Sequence, residues 1–332
     1  MKNSSFILLL VVLAMLVCLA FLASLTVGPS ELGVKDSLKA MFSAEQPAAY
    51  LVMHEIRLPR AILGLMIGVT LGLSGAVLQG FLRNPLAEPG ILGISSTAAF
   101  GAVLAIYTGV SASFALAVPL AGLAGALAGV ILVRSMAGPN GSTLSLILAG
   151  VAVTALAGAM TTLVLNLSPN PFAASEIVFW MLGSLTDRSM THVWLSAPFM
   201  IVGWLMLGCL ARPLDALTLG SDAAATMGVN VRRLQSFAVF GSAAAIGAAV
   251  SVSGAIGFIG LVVPHVLRPL VGSMPSRLLP ASALGGAALL LAADVAVRVI
   301  APDRDLKIGV LTALIGAPFF LWLVHRSRRN EL

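Results

Sequence analysis

The chain has 332 residues, 59% of them hydrophobic and 10% charged, with a formal net charge of +6. Soluble domains carry about 25% charged residues, which excludes a water-soluble globule. The basic residues are scattered between apolar runs rather than gathered in a patch, which excludes a nucleic-acid surface.

The charges delimit the elements. No Asp, Glu, Lys or Arg lies between Lys2 and Glu31, Arg60 and Arg83, Glu88 and Arg134, Arg134 and Glu176, Arg188 and Arg212, or Arg233 and Arg268. A spanning helix needs about 20 apolar residues, so the gaps after Glu88 and Arg233 each hold two helices and the others one. Further spans near 279–299 and 307–325 complete the reading. It is an all-α polytopic membrane protein with ten transmembrane helices, and residues 1–332 form a single transmembrane domain.

The first apolar stretch, Phe6 to Val27, is too long for a signal-peptide core and reads as a retained helix. The polar stretch 29–60, with Pro29, Glu31, Lys35, Asp36, Lys39, Glu45 and Pro47, is solvated. The second helix carries Gly64, Gly68 and Gly72, and the fourth carries Gly122, Gly125 and Gly129. Such stripes let helices pack closely. The segment Arg83-Asn-Pro-Leu-Ala-Glu-Pro-Gly90 is a rigid cytoplasmic turn. Pro169 and Pro171 end the fifth helix, and Trp180 sits where an interfacial aromatic belongs.

Residues 212–233 join the sixth and seventh helices. Here Ser221 or Asp222 caps a short helix, 222–227, which Gly228 terminates. The run Gly254–Gly272 is apolar and reads as a packed span, with glycines at 254, 257 and 260 flattening one helix face before Pro264, His265 and Arg268. Asp294 and Arg298, at i and i+4 in the ninth helix, form an ion pair near its outer end.

With Lys2 inside and ten crossings, eleven of the nineteen Lys/Arg residues fall in inside segments, but only four of the thirteen acidic ones. The bias in basic residues places both termini in the cytoplasm.

Catalytic chemistry is missing from the pattern. The four lysines, at 2, 35, 39 and 307, stand in no phosphate-cradling motif. The four histidines, at 54, 192, 265 and 325, lack metal-ligand spacing. Cys18 and Cys209 read as small buried hydrophobes inside spans. The reading is therefore no catalytic residue, no metal and no cofactor. With Asp294 committed to an ion pair, an array of intramembrane carboxylates for ion coupling is also lacking. The energy source lies outside the chain.

Eight motifs in order resemble the iron–siderophore and cobalamin permease family of bacterial ABC importers, over almost the whole chain. They are Arg57-Leu-Pro-Arg60, Gln79 with the 83–90 turn, Leu92-Gly-Ile-Ser-Ser96, Trp180-x-x-Gly-Ser-Leu185, Leu219-Gly-x-x-x-Ala-x-x-x-Gly-Val229, Gly254–Arg268, Ala293-Asp294, and Gly309-Val-x-Thr-Ala-Leu-Ile-Gly-Ala-Pro-Phe319. The resemblance implies a permease in the bacterial inner membrane, paired with a second copy or a paralogue and embedded in lipid. Two separate ATPase subunits hydrolyse ATP, and a periplasmic substrate-binding protein delivers a metal chelate. Iron–siderophore cargo is expected first, with cobalamin or haem as alternatives. An ion-coupled secondary transporter is the rival from another class.

By the same resemblance, Leu219, Gly220, Ser221, Asp222, Ala223, Met227 and Gly228 form the ATPase-coupling segment. Arg57, Arg60 and Arg298 receive acidic residues of the binding protein. Two departures stand out: Ser221 replaces an acidic residue usual there, and Lys307 replaces a proline before the last helix.

Overall fold

The computed structural model describes residues 3–28, 33–43, 46–138, 141–168, 170–302 and 304–329. Lys2, Pro29, Glu31, Glu45 and Pro169 fall outside them. The described residues are helical and contain no strand. Ten helices follow the apolar runs: α1 (Asn3–Thr26), α2 (Leu58–Phe81), α3 (Ile94–Tyr107), α4 (Ala117–Ala137), α5 (Thr143–Asn166), α6 (Met190–Gly208), α7 (Val231–Ser253), α8 (Ile259–Leu267), α9 (Pro275–Ile300) and α10 (Ile308–Arg329). Seven helices are long and apolar enough to cross a bilayer, namely α1, α4, α5, α6, α7, α9 and the continuous Pro47–Phe81 that contains α2. The helix α3 and the stretch Ile308–Leu323 of α10 are apolar but shorter.

The centre of the molecule is α2, which packs along α9 and also meets α1, α6, α7 and α8. The two central helices run antiparallel with their backbones nearly in contact. Arg60 meets Asp294, Gly64 faces Leu291, Gly68 faces Gly286 and Ala287, and Gly72 faces Ser282. A Cβ on Gly72 would lie 1.9 Å from the Ser282 carbonyl oxygen, so only glycine permits this approach. The expected stripes are thus packing faces: Gly125 of α4 likewise faces the Thr97 carbonyl of α3. Outer helices instead turn large apolar side chains outward, such as Leu8, Leu19, Leu148 and Leu205, each 60% or more exposed. A lipid-facing surface wants this composition.

Three expectations are corrected. The run 254–272 is not one span: residues 254–258 are non-helical, and α8 has nine residues, about 14 Å at 1.5 Å per residue. Gly254 (φ 71°) and Phe258 (φ 67°) lie in the left-handed region, which interrupts a helix. Pro171 does not simply end α5. It opens a further helix, Pro171–Met181, with the Asn170 side chain capping the Phe172 N–H. Trp180 packs partly buried against two apolar clusters. Cys18 and Cys209 are exposed on the apolar exterior instead of buried.

Candidate functional site

Three places carry the polar chemistry of this apolar molecule. The first is the outer end of the α2–α9 pair. Asp294, fully buried, receives Arg60 in a fork, with Nε at 2.9 and 3.2 Å from its two oxygens and the terminal nitrogen at 2.9 Å. Arg298 binds the same carboxylate at 2.6 Å, as the i, i+4 spacing leads one to expect. Arg298 also donates to the Ser24 and Val27 carbonyls, and Arg57 donates to those of Leu25 and Thr26. These carbonyls belong to the last turn of α1, where helix geometry leaves them without N–H partners and the macrodipole favours cations.

The structure places the three arginines expected at the surface in an inward-facing network. Arg57 is 3% exposed and also bonds Ser37. Arg60 and Arg298 retain an edge on a 230 Å³ cleft with Thr186, Arg304 and Asp305. Arg60's pairing across 234 positions had no sequence signal. Lys307, one of the two departures from the family pattern, pairs with Asp305 and lies over the Phe179 ring.

The second place is the segment between α6 and α7. The short helix runs Ser221–Thr226, one residue ahead of the expected 222–227. Its N-cap is Gly220 (φ 109°), not Ser221 or Asp222, whose side chains bond each other. Gly228 (φ 84°) follows the helix end, as read from the sequence. Ala224 is buried and anchors the turn, while Leu219 and Met227 are 68% and 62% exposed. The result is a rigid knob with apolar ends and one acidic residue, Asp222, in its first turn. The preceding helix, Ala211–Leu217, supplies Asp215, whose carboxylate caps the Ser276 N–H at the start of α9 at 2.8 Å. The segment between α6 and α7 is thereby tied to the central helix pair.

The third place is the α7–α8 break. Where α7 stops, its last carbonyls lose their helical donors. The Arg188 guanidinium donates to Val252, and the Ser184 N–H donates to Ser253 at 2.7 Å. Burial holds Arg188 below the ordinary arginine range, and Asp187 pulls it back up. In α8, Pro264 cannot donate to the Gly260 carbonyl. The Gln79 amide of α2 takes its place, at 3.4 Å from Gly260 and 3.3 Å from Leu261. Arg268 then holds the Gln79 oxygen at 2.7 Å. Residues 255, 257 and 258 line an apolar cavity of about 610 Å³ with Leu182, Val310, Ala313 and Pro318.

The turn 83–90, expected to be rigid, also reaches into the molecule. Its Glu88 accepts the Phe258 N–H at 2.9 Å, linking the turn to the break across 170 positions. Sequence spacing carries no trace of this bond. The proline and glycine beside Glu88 were visible, but only the fold reveals that they let the loop rise between α5 and α8.

Comparison with known proteins agrees with this architecture. A solved structure of a metal-chelate type ABC transporter in an inward-facing conformation superposes with a TM-score of 0.84 at 33% identity, covering 96% of this chain and 98% of that one. The hemin transport system permease protein of Yersinia pestis is 39% identical over 94% of this chain and 95% of its own length. The vitamin B12 import system permease protein of Salmonella typhi is 38% identical, with 96% and 94% covered. The cobalamin import system permease protein of Halobacterium salinarum is 42% identical, with 83% and 74% covered. Residues 15–326 match the profile of the FecCD transport family. The chain therefore belongs to the FecCD transport family, as a polytopic permease subunit of an ABC importer in the cytoplasmic membrane whose ATP is hydrolysed by a separate subunit.

Proposed function

We propose that this permease carries a metal chelate inward along a path bounded by the α7–α8 break and α10, completed by a second copy of the chain or a paralogue. The observation that carries the reading is the 610 Å³ apolar cavity walled by Ala255, Gly257 and Phe258, in the non-helical backbone between the apolar helices α7 and α8. Irregular backbone at membrane depth is tolerated where it lines a cavity. The chain crosses ten times as a single transmembrane domain, with both termini in the cytoplasm. The knob 219–228 fits a cleft in each of two ATPases. A periplasmic binding protein docks over the cleft edged by Arg60 and Arg298, with Arg57 fixing the end of α1 beneath. Rim charges of this kind chiefly set orientation and association rate.

Family membership supports a ferric siderophore as cargo. The names of the Yersinia, Salmonella and Halobacterium relatives support haemin or cobalamin equally. Each is a metal chelate, and the permease breaks no bond in it. It alternates between states that its partners bind differently.

The test is reconstitution of the permease with its ATPase and binding protein in liposomes, supplied with haemin, cyanocobalamin or a ferric hydroxamate. One of the three is expected to stimulate ATP hydrolysis and to accumulate inside only with ATP. Uptake that persists without the ATPase and collapses with the ion gradient would sink the reading in favour of a secondary transporter. Met227→Pro should abolish coupling while leaving the permease folded, because it removes the N–H that bonds the Ala223 carbonyl at 3.1 Å and so disrupts the exposed end of the short helix. Normal ATP-driven uptake in that variant removes the coupling assignment.

A further inference from the structure

The segment 255–258 is one backbone thick and has a cavity on either side. Ala255 and Gly257 line the 610 Å³ cavity facing α10 and also a second cavity of about 140 Å³ that holds Glu88 with Leu71, Pro89 and Ser95. Gln79 and Arg268 fix α8 below this segment. Among the described residues, Glu88 is the one side chain that bonds residues 255–258. Its Oε1 meets the Phe258 N–H at 2.9 Å. Phe258 caps α8 in a left-handed conformation, so its N–H has no acceptor within the helix, and an unpaired N–H in apolar surroundings is costly. The ring of Pro89, next to Glu88, sits against Gly260, where an added Cβ would meet it at 2.8 Å. The same loop begins at Arg83 and Asn84, both exposed.

From this geometry we propose that Glu88 is a positioning residue: by holding the Phe258 N–H, it couples the exposed 83–90 loop to the wall of the larger cavity. Movement of the loop then carries residues 255–258 with it, while the α2–α9 pair stays fixed. The link to transport rests on the reading that this cavity lies on the chelate's route; the link to the backbone does not.

The experiment compares wild type, Glu88→Ala and Glu88→Gln in the assembled permease–ATPase complex in nanodiscs. Amide exchange is followed by mass spectrometry over 255–260. Gln keeps an oxygen acceptor in place; Ala removes it. Exchange at Phe258 should rise about tenfold in Glu88→Ala, as expected for loss of a hydrogen bond to a charged group, and stay within about twofold of wild type in Glu88→Gln. Peptides of α2 and α9 should be unchanged. ATP-driven uptake of haemin, cyanocobalamin and a ferric hydroxamate is measured on the same preparations. It should fall at least about fivefold in Glu88→Ala and be retained in Glu88→Gln, in proportion to the restored bond. Unchanged exchange in Glu88→Ala, or a rise that spreads through α2 and α9, overturns the positioning role. Raised local exchange with wild-type uptake overturns its link to transport. If the wild-type complex moves none of the three chelates, the proposed cargo and route fail, and the exchange data alone decide the Glu88 bond.

Discussion

The α2–α9 seam and the α7–α8 break lie side by side, yet they are built on opposite principles. In the seam, glycines bring two helices to backbone contact, and a buried Arg60–Asp294–Arg298 cluster fastens the outer end while Asp215 caps the inner start of α9. Close-packed interiors transmit strain and resist deformation. In the break, a short half-helix hangs from α2 by Gln79 and from a loop by Glu88, with open cavities on both sides of the chain. Gly75 and Gly260 hold α8 itself close to α2, so the freedom of this element lies in non-helical backbone beside the cavities, held by replaceable polar bonds. The alternation proposed above needs both a frame and a movable wall, and glycine serves each in a different way.

The largest effect is expected at the outer fastening of the seam. Asp294→Ala leaves two part-buried guanidiniums without their fully buried counter-ion, at a cost of about 3 kcal/mol. The variant's thermal unfolding midpoint in detergent should fall by about 10 °C, or the variant should fail to yield monodisperse protein. Wild-type stability would mean that the α1 carbonyls alone satisfy Arg298. Next comes Gly72→Ala. The new methyl would press on the Ser282 carbonyl and force the two backbones apart, at about 1–3 kcal/mol. A thermal midpoint unchanged by this substitution would break the comparison, because the seam would then tolerate what its geometry forbids.

Part of this contrast was legible before the fold was known. Gly64, Gly68 and Gly72 at four-residue spacing announce a packing face, and Asp294 with Arg298 at i+4 announces a pair. Both signals live within one helix, where periodicity speaks. Arg60 joins that pair across the molecule, and Glu88 meets Phe258 likewise, so no local pattern could bring them together. The run 254–272 misled for a related reason. Its apolar composition matches a span, while the interruption depends on left-handed backbone at Gly254 and Phe258, and the latter is not a residue that advertises it. The short helix 221–226 was readable to within one residue because two glycines bound it, but the cap chosen was a side chain where the backbone of Gly220 serves.

A smaller effect is expected for Gln79→Ala. It removes two long hydrogen bonds to α8 and the acceptor for Arg268, a loss of about 1 kcal/mol. The loss should be local: amide exchange in α8 should rise while that of α9 stays fixed. A rise shared equally by α9 would show that frame and wall unfold as one unit.

The smallest effect is the sharpest test of the contrast. Gly257→Ala makes the same chemical change as Gly72→Ala in far more open surroundings. A Cβ at Gly257 meets only Glu88 Oε1, at 3.5 Å, an ordinary van der Waals distance. The stability change should therefore stay within about 0.5 kcal/mol, as for a substitution that neither overpacks nor opens a void. The methyl does sit between the two cavities, so uptake and Phe258 exchange can shift while the unfolding midpoint does not. If Gly257→Ala instead destabilises as much as Gly72→Ala, the break is packed as rigidly as the seam. The wall would then have no freedom to move, and the division of the molecule into a frame and a hinged segment would fall with it.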